Sequence, residues 1–566
     1  MSTMEDIRVI VGLDFGTTYS GFTLCHVDDD DNLASIRTNY EWPGEEGTFK
    51  TNTVLQYDDD FEEVKLWGYP ALYKESNKND DDETKPIELF KLYLGNCLEK
   101  YRPRLPESLT YKKAITDYLC KMGELIKATI NRYWEGIDFM ERVLLVLTIP
   151  AEFTENDKAI MRECAFNAGL IGEKNSENLQ FTSEPEAAAI YCMYSSLREH
   201  RLAVPGTTFM IVDCGGGTVD LTTRKLLEEN QLSEITERAG DFCGSTFIDK
   251  EFIKLLEREV GKSAMDLFSD KQYGQLQRLV QQFCQKVKLP FTGNNPDFGC
   301  EIDLEDFPLL QYVTGSEKDL MEEKEWLITL DFDAIKSMFD PIVDRIIDMI
   351  QVQLDNSKEC SAIFLVGGFG QSKYLQNIVE KKFGERVKNI SVPNQPIAAV
   401  VRGAAIYGKS LQKSKNMKKL NNSKCVIATR VLKYTFGVKI TPAWKHGDPP
   451  ERKIFGRIHK FHRMVKRRTE VTTDQEFKIE DLLPVSPFQK QMSFDVYYTH
   501  EQDGIYCDEP GMIFLGKLTI SLPDIHLGGE RPCTLSLFFG DMEVKAKAFN
   551  QTNGQNYHTS FELSTF

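Results

Sequence analysis

The sequence predicts an α/β protein with largely parallel sheets, built on a duplicated lobe and followed by a β-rich C-terminal domain. Three observations carry this. Three segments share one grammar, a short apolar run that breaks at Gly and Asp: IRVIVGLDFGTTYSG from Ile7, TFMIVDCGGGTVDLTT from Thr208 and CSAIFLVGGFGQSKY from Cys360. Each reads as a buried strand ending in a turn where the backbone closely approaches something else. The first two are alike in detail and stand about 200 residues apart, too far for a solenoid repeat and suited to a duplicated domain. Beyond residue 425 the chain turns to short β-rich runs, YTFGVKI, MSFDVYYTH, GKLTISL and CTLSLFF.

The elements between follow in order. VLLVLTIP is a strand, and KAIMRECAFNAGL, from Lys158 to Leu170, and LREHRLA are helical candidates. Strands alternating with helices give an α/β fold. The acidic tracts Asp58 to Asp60 and Asp80 to Glu83 read as solvated loops. TSEPEAAAIYCM opens a helix with a capping box, Ser183 and Glu186, and places Glu184 at the helix start. From Lys409 the stretch KSLQKSKNMKKLNNSK is polar, basic and poor in apolar clusters, so it reads as a linker. The expected division is an α/β domain over residues 1–408, a linker over 409–424 and a β-rich domain over 425–566. Asn553-Gly554, flanked by alternating residues, marks a hairpin near the end.

Composition excludes several classes. Apolar residues make up 41%, charged residues 27%, and the formal net charge is −18. That balance argues against nucleic acid or an anionic membrane as the main partner. No signal peptide is expected, and no apolar run reaches the roughly 18 residues of a membrane span. The 13 cysteines show no CxxC pairing, which fits a reducing compartment. The cytoplasm is the expected location, with the nucleus also open to the protein. The eight histidines form no HxxxH or His/Cys cluster, so no zinc site is expected.

The loops carry the chemistry. In GLDFGTTYSG, Asp14 ends a strand where it can reach a metal or its waters. Gly16 lets the backbone approach an anion, and the hydroxyls and amides of Thr17 and Thr18 can wrap phosphate oxygens. VDCGGGTVD repeats this with Asp213 and three consecutive glycines. Two such loops from duplicated lobes would grip a triphosphate from opposite sides, with Asp14 and Asp213 holding one Mg²⁺ through water. LVGGFG offers a third close backbone approach, suited to a nucleoside.

Taken together, Asp14 to Ser20, Thr148 to Phe153, Ser183 to Ala189, Asp213 to Asp220, Ala239 to Asp241 with Gly244, and Leu365 to Gly368 resemble the motifs of the actin-like ATPases. Within these the chain is similar to the heat-shock 70 kDa chaperone family over roughly its first 410 residues. The resemblance implies ATP/ADP and Mg²⁺ as ligands, with Asp14 and Asp213 organising the metal and the attacking water. Thr17, Thr18 and Tyr19 would hold the β- and γ-phosphates with Gly215, Gly216, Gly217 and Thr218. Glu184 would be the catalytic carboxylate, and Lys91 in ELFKLYLG the catalytic lysine. Pro150 would relay nucleotide state. Gly244, Gly367, Gly368 and Gln371 fall in the family's remaining nucleotide-binding segments.

There are departures. Phe369-Gly370-Gln371 stands where the family has Ser-Thr-Arg, whose arginine stacks on adenine, and Gln395-Pro396-Ile397 replaces the family's acidic residue before its last helix. The family's acidic, leucine-rich linker is replaced by KSKNMKK. The β domain keeps a trace of the peptide-binding sandwich in EVKAKAFNQTNGQ, without a helical lid or the acidic terminal tetrapeptide. With RVLKYTFGV and FHRMVKRR these features resemble the family's divergent subfamily twelve.

Residues 403 to 410, GAAIYGKS, satisfy the P-loop pattern letter for letter. A P-loop needs a strand before its first Gly and a helix starting at its Lys. Here PNQPIAAVVR precedes it, Ala-rich and already helical, so the match is read as coincidence, with Gly408 near a helix end. FGRIHKFHRMVKRR is basic with interleaved aromatics and is read as a solvated strand edge and loop. Three functions are open: an ATP-dependent chaperone-like protein with weak ATPase activity, a nucleotide-sensing adaptor or scaffold without refolding activity, and a small-molecule kinase on the same fold. Expected partners are a protein client or signalling partner at the C-terminal β domain and a nucleotide-exchange cofactor. Nucleic acid is not among them.

Overall fold

The computed structural model describes residues 7–29, 33–73, 85–418 and 425–560. The acidic tract at Asp80 to Glu83 and the linker residues 419–424 lie outside these. The chain divides into two units: residues 1–152, 162–230 and 239–423, and residues 153–161, 231–238 and 424–566. Two segments that sequence order assigns to the α/β domain therefore belong to the second unit.

The first unit shows its duplication in strand topology. Strand Val9–Asp14 pairs antiparallel with Tyr19–His26 and parallel with Val143–Ile149, which pairs parallel with Leu179–Ser183. Strand Thr208–Cys214 pairs antiparallel with Val219–Leu226 and parallel with Ala362–Val366, which pairs parallel with Asn389–Ser391. Asp14 and Asp213 occupy equivalent positions, each at or next to the end of the first strand of its hairpin, opposite Gly21 and Asp220. Val9–Asp14 and Val143–Ile149 are buried at every position, as expected of strands covered on both faces.

The helical candidate after Lys158 forms, as Glu155–Asn167. LREHRLA does not form as a whole. Only Ser196–Glu199 is helical, and Arg201 turns left-handed at φ +57°, which ends the element.

Helix Ala399–Lys418 carries GAAIYGKS. A Cβ on Gly403 would run into the carbonyl of Ala187 in helix Glu184–Tyr194, and one on Gly408 would meet methyls of Ile10 and Val146. Both glycines exist for close packing against a helix and a sheet. Gly408 is not near the helix end, since the helix continues to Lys418 through residues expected to be linker. Lys409 is buried and donates to the Asp29 carbonyl.

The second unit holds two four-stranded sheets. One has the order Lys460–Val465, Thr435–Ile440, Gln491–Thr499, Ile513–Ser521, and the other Glu476–Leu482, Cys533–Phe538, Lys545–Asn550, Asn556–Ser560. Apolar residues of both, among them Phe436, Val496, Leu518, Leu535 and Ala548, share one core. Strand Leu232–Glu234 pairs parallel with Ile427–Val431, and Lys158 donates to the Met542 carbonyl. All 13 cysteines are free thiols. Among the described residues no helix is long and apolar enough to cross a membrane.

Adding a methyl at Gly403 costs about 3 kcal/mol in overpacking, against about 1 kcal/mol of improved helix propensity. Gly403→Ala should therefore lose about 2 kcal/mol. Urea unfolding checks it, and an unchanged midpoint would show that the helix crossing relaxes freely.

Candidate functional site

The first hairpin turns at Phe15 to Thr18. Gly16 N–H donates to Ser20 Oγ (3.2 Å), while Thr53 donates to the carbonyls of Gly16 through Oγ1 (2.9 Å) and of Thr18 through N–H (2.8 Å). In the second turn Gly215 N–H donates to the Thr218 carbonyl (2.9 Å). The carbonyls of Gly215, Gly216 and Gly217 accept from the N–H groups of Ser245 (3.1 Å), Thr246 (2.9 Å) and Gly244 (3.2 Å). Carbonyl and N–H of one peptide plane point in opposite directions. The amides of Gly216, Gly217 and Thr218 therefore face away from this clamp, free to converge on an anion.

The two turns meet face to face. A Cβ on Gly216 would strike the Thr18 side chain, and one on Gly217 that of Thr17. Gly244 abuts the Gly216 carbonyl as closely. Gly367, left-handed at φ +77°, ends strand Ala362–Val366 where a Cβ would strike the Cys214 carbonyl and Asp213 Oδ1. The third motif thus lies against the second acid. Gly368 has open space around it. Gln371 closes the short turn Phe369–Gln371 and is exposed, and Tyr19, 44% exposed, stands at the rim of the first turn.

The carboxylates are buried and placed by their strands and helix. Asp14 Oδ2 accepts from Lys50 Nζ (2.6 Å) and its Oδ1 from Thr148 Oγ1 (3.0 Å). Glu184, first residue of helix Glu184–Tyr194, pairs with Lys91 Nζ at 2.8 Å. Lys91 also donates to the Phe15 carbonyl and so ties the first turn to this helix. Half of the expected capping box forms: Ser183 Oγ accepts from Glu186 N–H (3.3 Å). The Glu186 carboxylate goes instead to Thr182 Oγ1 (2.9 Å) and to the fully buried Arg224 (3.1 Å).

These charges strain one another. Burial, reinforced by Glu184 and Asp220, pushes the Asp213 carboxyl well above the usual range. Glu184 is raised by burial and by Asp14, with Lys91 working against the shift. Asp220 is pushed up to about 8 by burial and Glu184, although Ala151 N–H donates to it at 2.7 Å.

The donor set fits a hard divalent cation. It is all oxygen, and its burial and mutual repulsion would be relieved by positive charge. Among the described residues no three acidic, histidine or cysteine side chains converge on one ion. Mg²⁺ keeps several waters and leans on one or two carboxylates with substrate phosphates.

All the residues singled out from sequence around the first two loops are brought together, with Lys91 and Glu184. Sequence reasoning missed Lys50, Thr148 and Asp220. Thr148 is a hydroxyl in an otherwise apolar strand, and Asp220 closes the quoted motif, so both left a trace. Lys50, in a polar loop, left none.

The Hsp70 protein family model matches residues 138–435, more than half of the chain. The protein belongs to the Hsp70 family, whose actin-like ATPase domain is a nucleotide-binding one. Within the family its similarity runs along the whole chain to subfamily 12. It is 23% identical over 641 residues to Heat shock 70 kDa protein 12B of Homo sapiens, covering 98% of this chain and 91% of that protein. Heat shock 70 kDa protein 12A of Mus musculus is 23% identical over 667 residues, covering 100% and 93%. Chaperone protein DnaK of Elusimicrobium minutum is 26% identical over 267 residues, covering 46% of this chain and 38% of that one. The first loop, with Asp14, precedes the matched residues, and the repeated topology is what pairs it with the second.

The raised Asp220 sets a pH dependence for the nucleotide-free protein. The stability linked to its proton is complete below the ordinary carboxyl value of 3.8 and is lost as pH rises toward about 8. Wild type should lose stability relative to Asp220→Asn between about pH 6 and 8. Urea unfolding at both ends tests this, and a constant difference would exclude Asp220 as the titrating group.

Proposed function

We propose that the protein binds MgATP between its two glycine-cornered turns and hydrolyses it slowly, with nucleotide state biasing the grip of the C-terminal β-rich unit on a protein client. The observation that carries this is the convergence of both turns, face to face, on Asp14, Asp213 and the Lys91–Glu184 pair. Thr17, Thr18, Tyr19 and the amides of Gly215 to Thr218 hold the β- and γ-phosphates. Asp14 and Asp213 hold Mg²⁺ through water, and the ion supplies neutralisation of phosphate charge. Glu184, fixed by Lys91, orients the attacking water and accepts its proton. Catalysis of this type rests on positioning and electrostatics. Gly244, Gly367, Gly368 and Gln371 lie on the nucleoside side. There Gln371 supplies no guanidinium plane for the base, which favours weak nucleotide retention.

Chain continuity supports coupling. Ala151, next to Pro150, is bonded to Asp220, and one residue after Glu152 the chain enters the segment 153–161 of the second unit. A second reading is a nucleotide-sensing adaptor that does not refold clients. The altered third motif and the low identity to the family's chaperones favour it.

Calorimetric titration with MgATP and MgADP separates site from coincidence. Asp213→Ala should abolish binding, while Lys409→Ala should leave it within about twofold, since Lys409 lies in a packed helix. Loss of binding in Lys409→Ala alone would overturn the site. Pro150→Ala should keep ATP binding and remove the ATP-dependent change in protease protection of residues 425–560. A retained change would refute the relay. Suppression of client aggregation by wild type favours the chaperone reading, and its absence with intact nucleotide binding favours the adaptor.

A further inference from the structure

Lys50 reaches the site by a route built into the strands. Strand Thr51–Asn52 pairs antiparallel with the start of Tyr19–His26, Ser20 opposite Thr51, and continuing that register sets Lys50 beside Gly21. Gly21 in turn stands opposite Asp14 in the first hairpin. Asp14, Gly21 and Lys50 thus form one row across neighbouring strands, with a glycine in the middle. The lysine stem lies over that glycine: a Cβ on Gly21 would stand 3.0 Å from Lys50 Cγ and 2.7 Å from the Phe49 carbonyl oxygen. The bare position lets Lys50 Nζ reach Asp14 Oδ2 at 2.6 Å.

The two lysines of the site are differently engaged. Lys91 is held by both Glu184 and the Phe15 carbonyl, and its side chain is 4% exposed. An ammonium carries more than one donor, yet among the described residues Lys50 directs a hydrogen bond only to Asp14. Its side chain is 14% exposed, so the remaining donors are not sealed off. Burial opposes the charge on Lys50, but Asp14 outweighs burial, with Asp213 and Glu184 adding to it. The ammonium therefore faces three of the site's carboxylates.

The acids are unequal in the same way. Asp14 is met at both oxygens, by Lys50 and by Thr148 Oγ1. Burial, Glu184 and Asp220 raise the proton affinity of Asp213, and Lys50 is the cation that works against them.

We propose that Lys50 is a resident cation of the nucleotide site, neutralising Asp14 and donating its remaining hydrogen bonds to nucleotide phosphate, so that phosphate binding outlasts removal of the divalent ion. This rests on the nucleotide-binding reading given above and deepens it. Lysine suits the role, since it meets phosphate as a point charge without a fixed fork geometry. A divalent ion would then lean chiefly on Asp213, the acid without a lysine of its own.

The test is calorimetric titration of the full chain with ADP, in excess Mg²⁺ and again in EDTA, for wild type and Lys50→Gln. A hydrogen bond between charged groups changes affinity by about tenfold or more. Wild type should bind ADP in EDTA within about tenfold of its affinity in Mg²⁺. Lys50→Gln should lose about tenfold or more in EDTA and less in Mg²⁺, because a freed Asp14 becomes available to the ion. A merely structural role for Lys50 would lower both affinities alike and leave their ratio unchanged. An equal ratio in wild type and Lys50→Gln therefore overturns the proposal. The wild-type comparison needs no folded variant: binding in Mg²⁺ that vanishes in EDTA overturns the resident cation and leaves the nucleotide site standing. Absence of ADP binding under both conditions would sink the nucleotide reading itself, and this inference with it.

Discussion

Four carboxylates, Asp14, Glu184, Asp213 and Asp220, are buried around two turns that touch, and the rest of the first unit is arranged to make that tolerable. An isolated buried carboxylate is costly, so Lys50 is brought in from a loop, Lys91 from the short helical turn Phe90–Tyr93 and Thr148 from a neighbouring strand. What remains uncompensated appears as the raised proton affinity of Asp213, Glu184 and Asp220. Two lysines do not balance four carboxylates, and positive charge arriving with a ligand would offset the difference.

The scaffold supplies rigidity where the loops need it. Fully buried parallel strands hold Asp14 and Asp213 at equivalent positions, and helix Glu184–Tyr194 sets Glu184 at its own N-terminus. The Ser245 and Thr246 amides hold the second turn by its carbonyls, which fixes the opposite direction of its N–H groups. Helix Ala399–Lys418 packs so closely on helix Glu184–Tyr194 that Gly403 has no room for a side chain. Gly403 thus serves the site indirectly, by clamping the helix that presents Glu184, while Gly408 lets the same helix lie on the sheet.

Much of this was legible in sequence because strand ends, glycine-cornered turns and helix starts are local properties. Asp14, Asp213, Glu184 and the loop glycines could be named for that reason, and Lys91 through family resemblance. Lys50 could not, being one lysine among many. The end of the last helix of the first unit is hard to read locally because KSLQKSKNMK is polar, yet Lys, Leu, Gln and Met are good helix formers. The helix therefore runs on through it. LREHRLA failed for the opposite reason, a backbone reversal at Arg201 that helix propensity does not foresee.

The sequence by itself determined the alternation of strands and helices, the duplicated acid-and-glycine loops and the change to β structure near residue 425. Each of these is written in neighbouring residues as periodicity and turn chemistry. Only the tertiary structure decided which charges meet. Asp14 is paired with Lys50 across 36 positions and with Thr148 across 134, and Lys91 with Glu184 across 93. It also decided that residues 153–161 and 231–238 belong with the C-terminal unit, and that Phe455 stands wholly exposed. The physical reason is the same in each case: burial and ion pairing depend on distance in space, and a local pattern does not encode which distant segment will cover it.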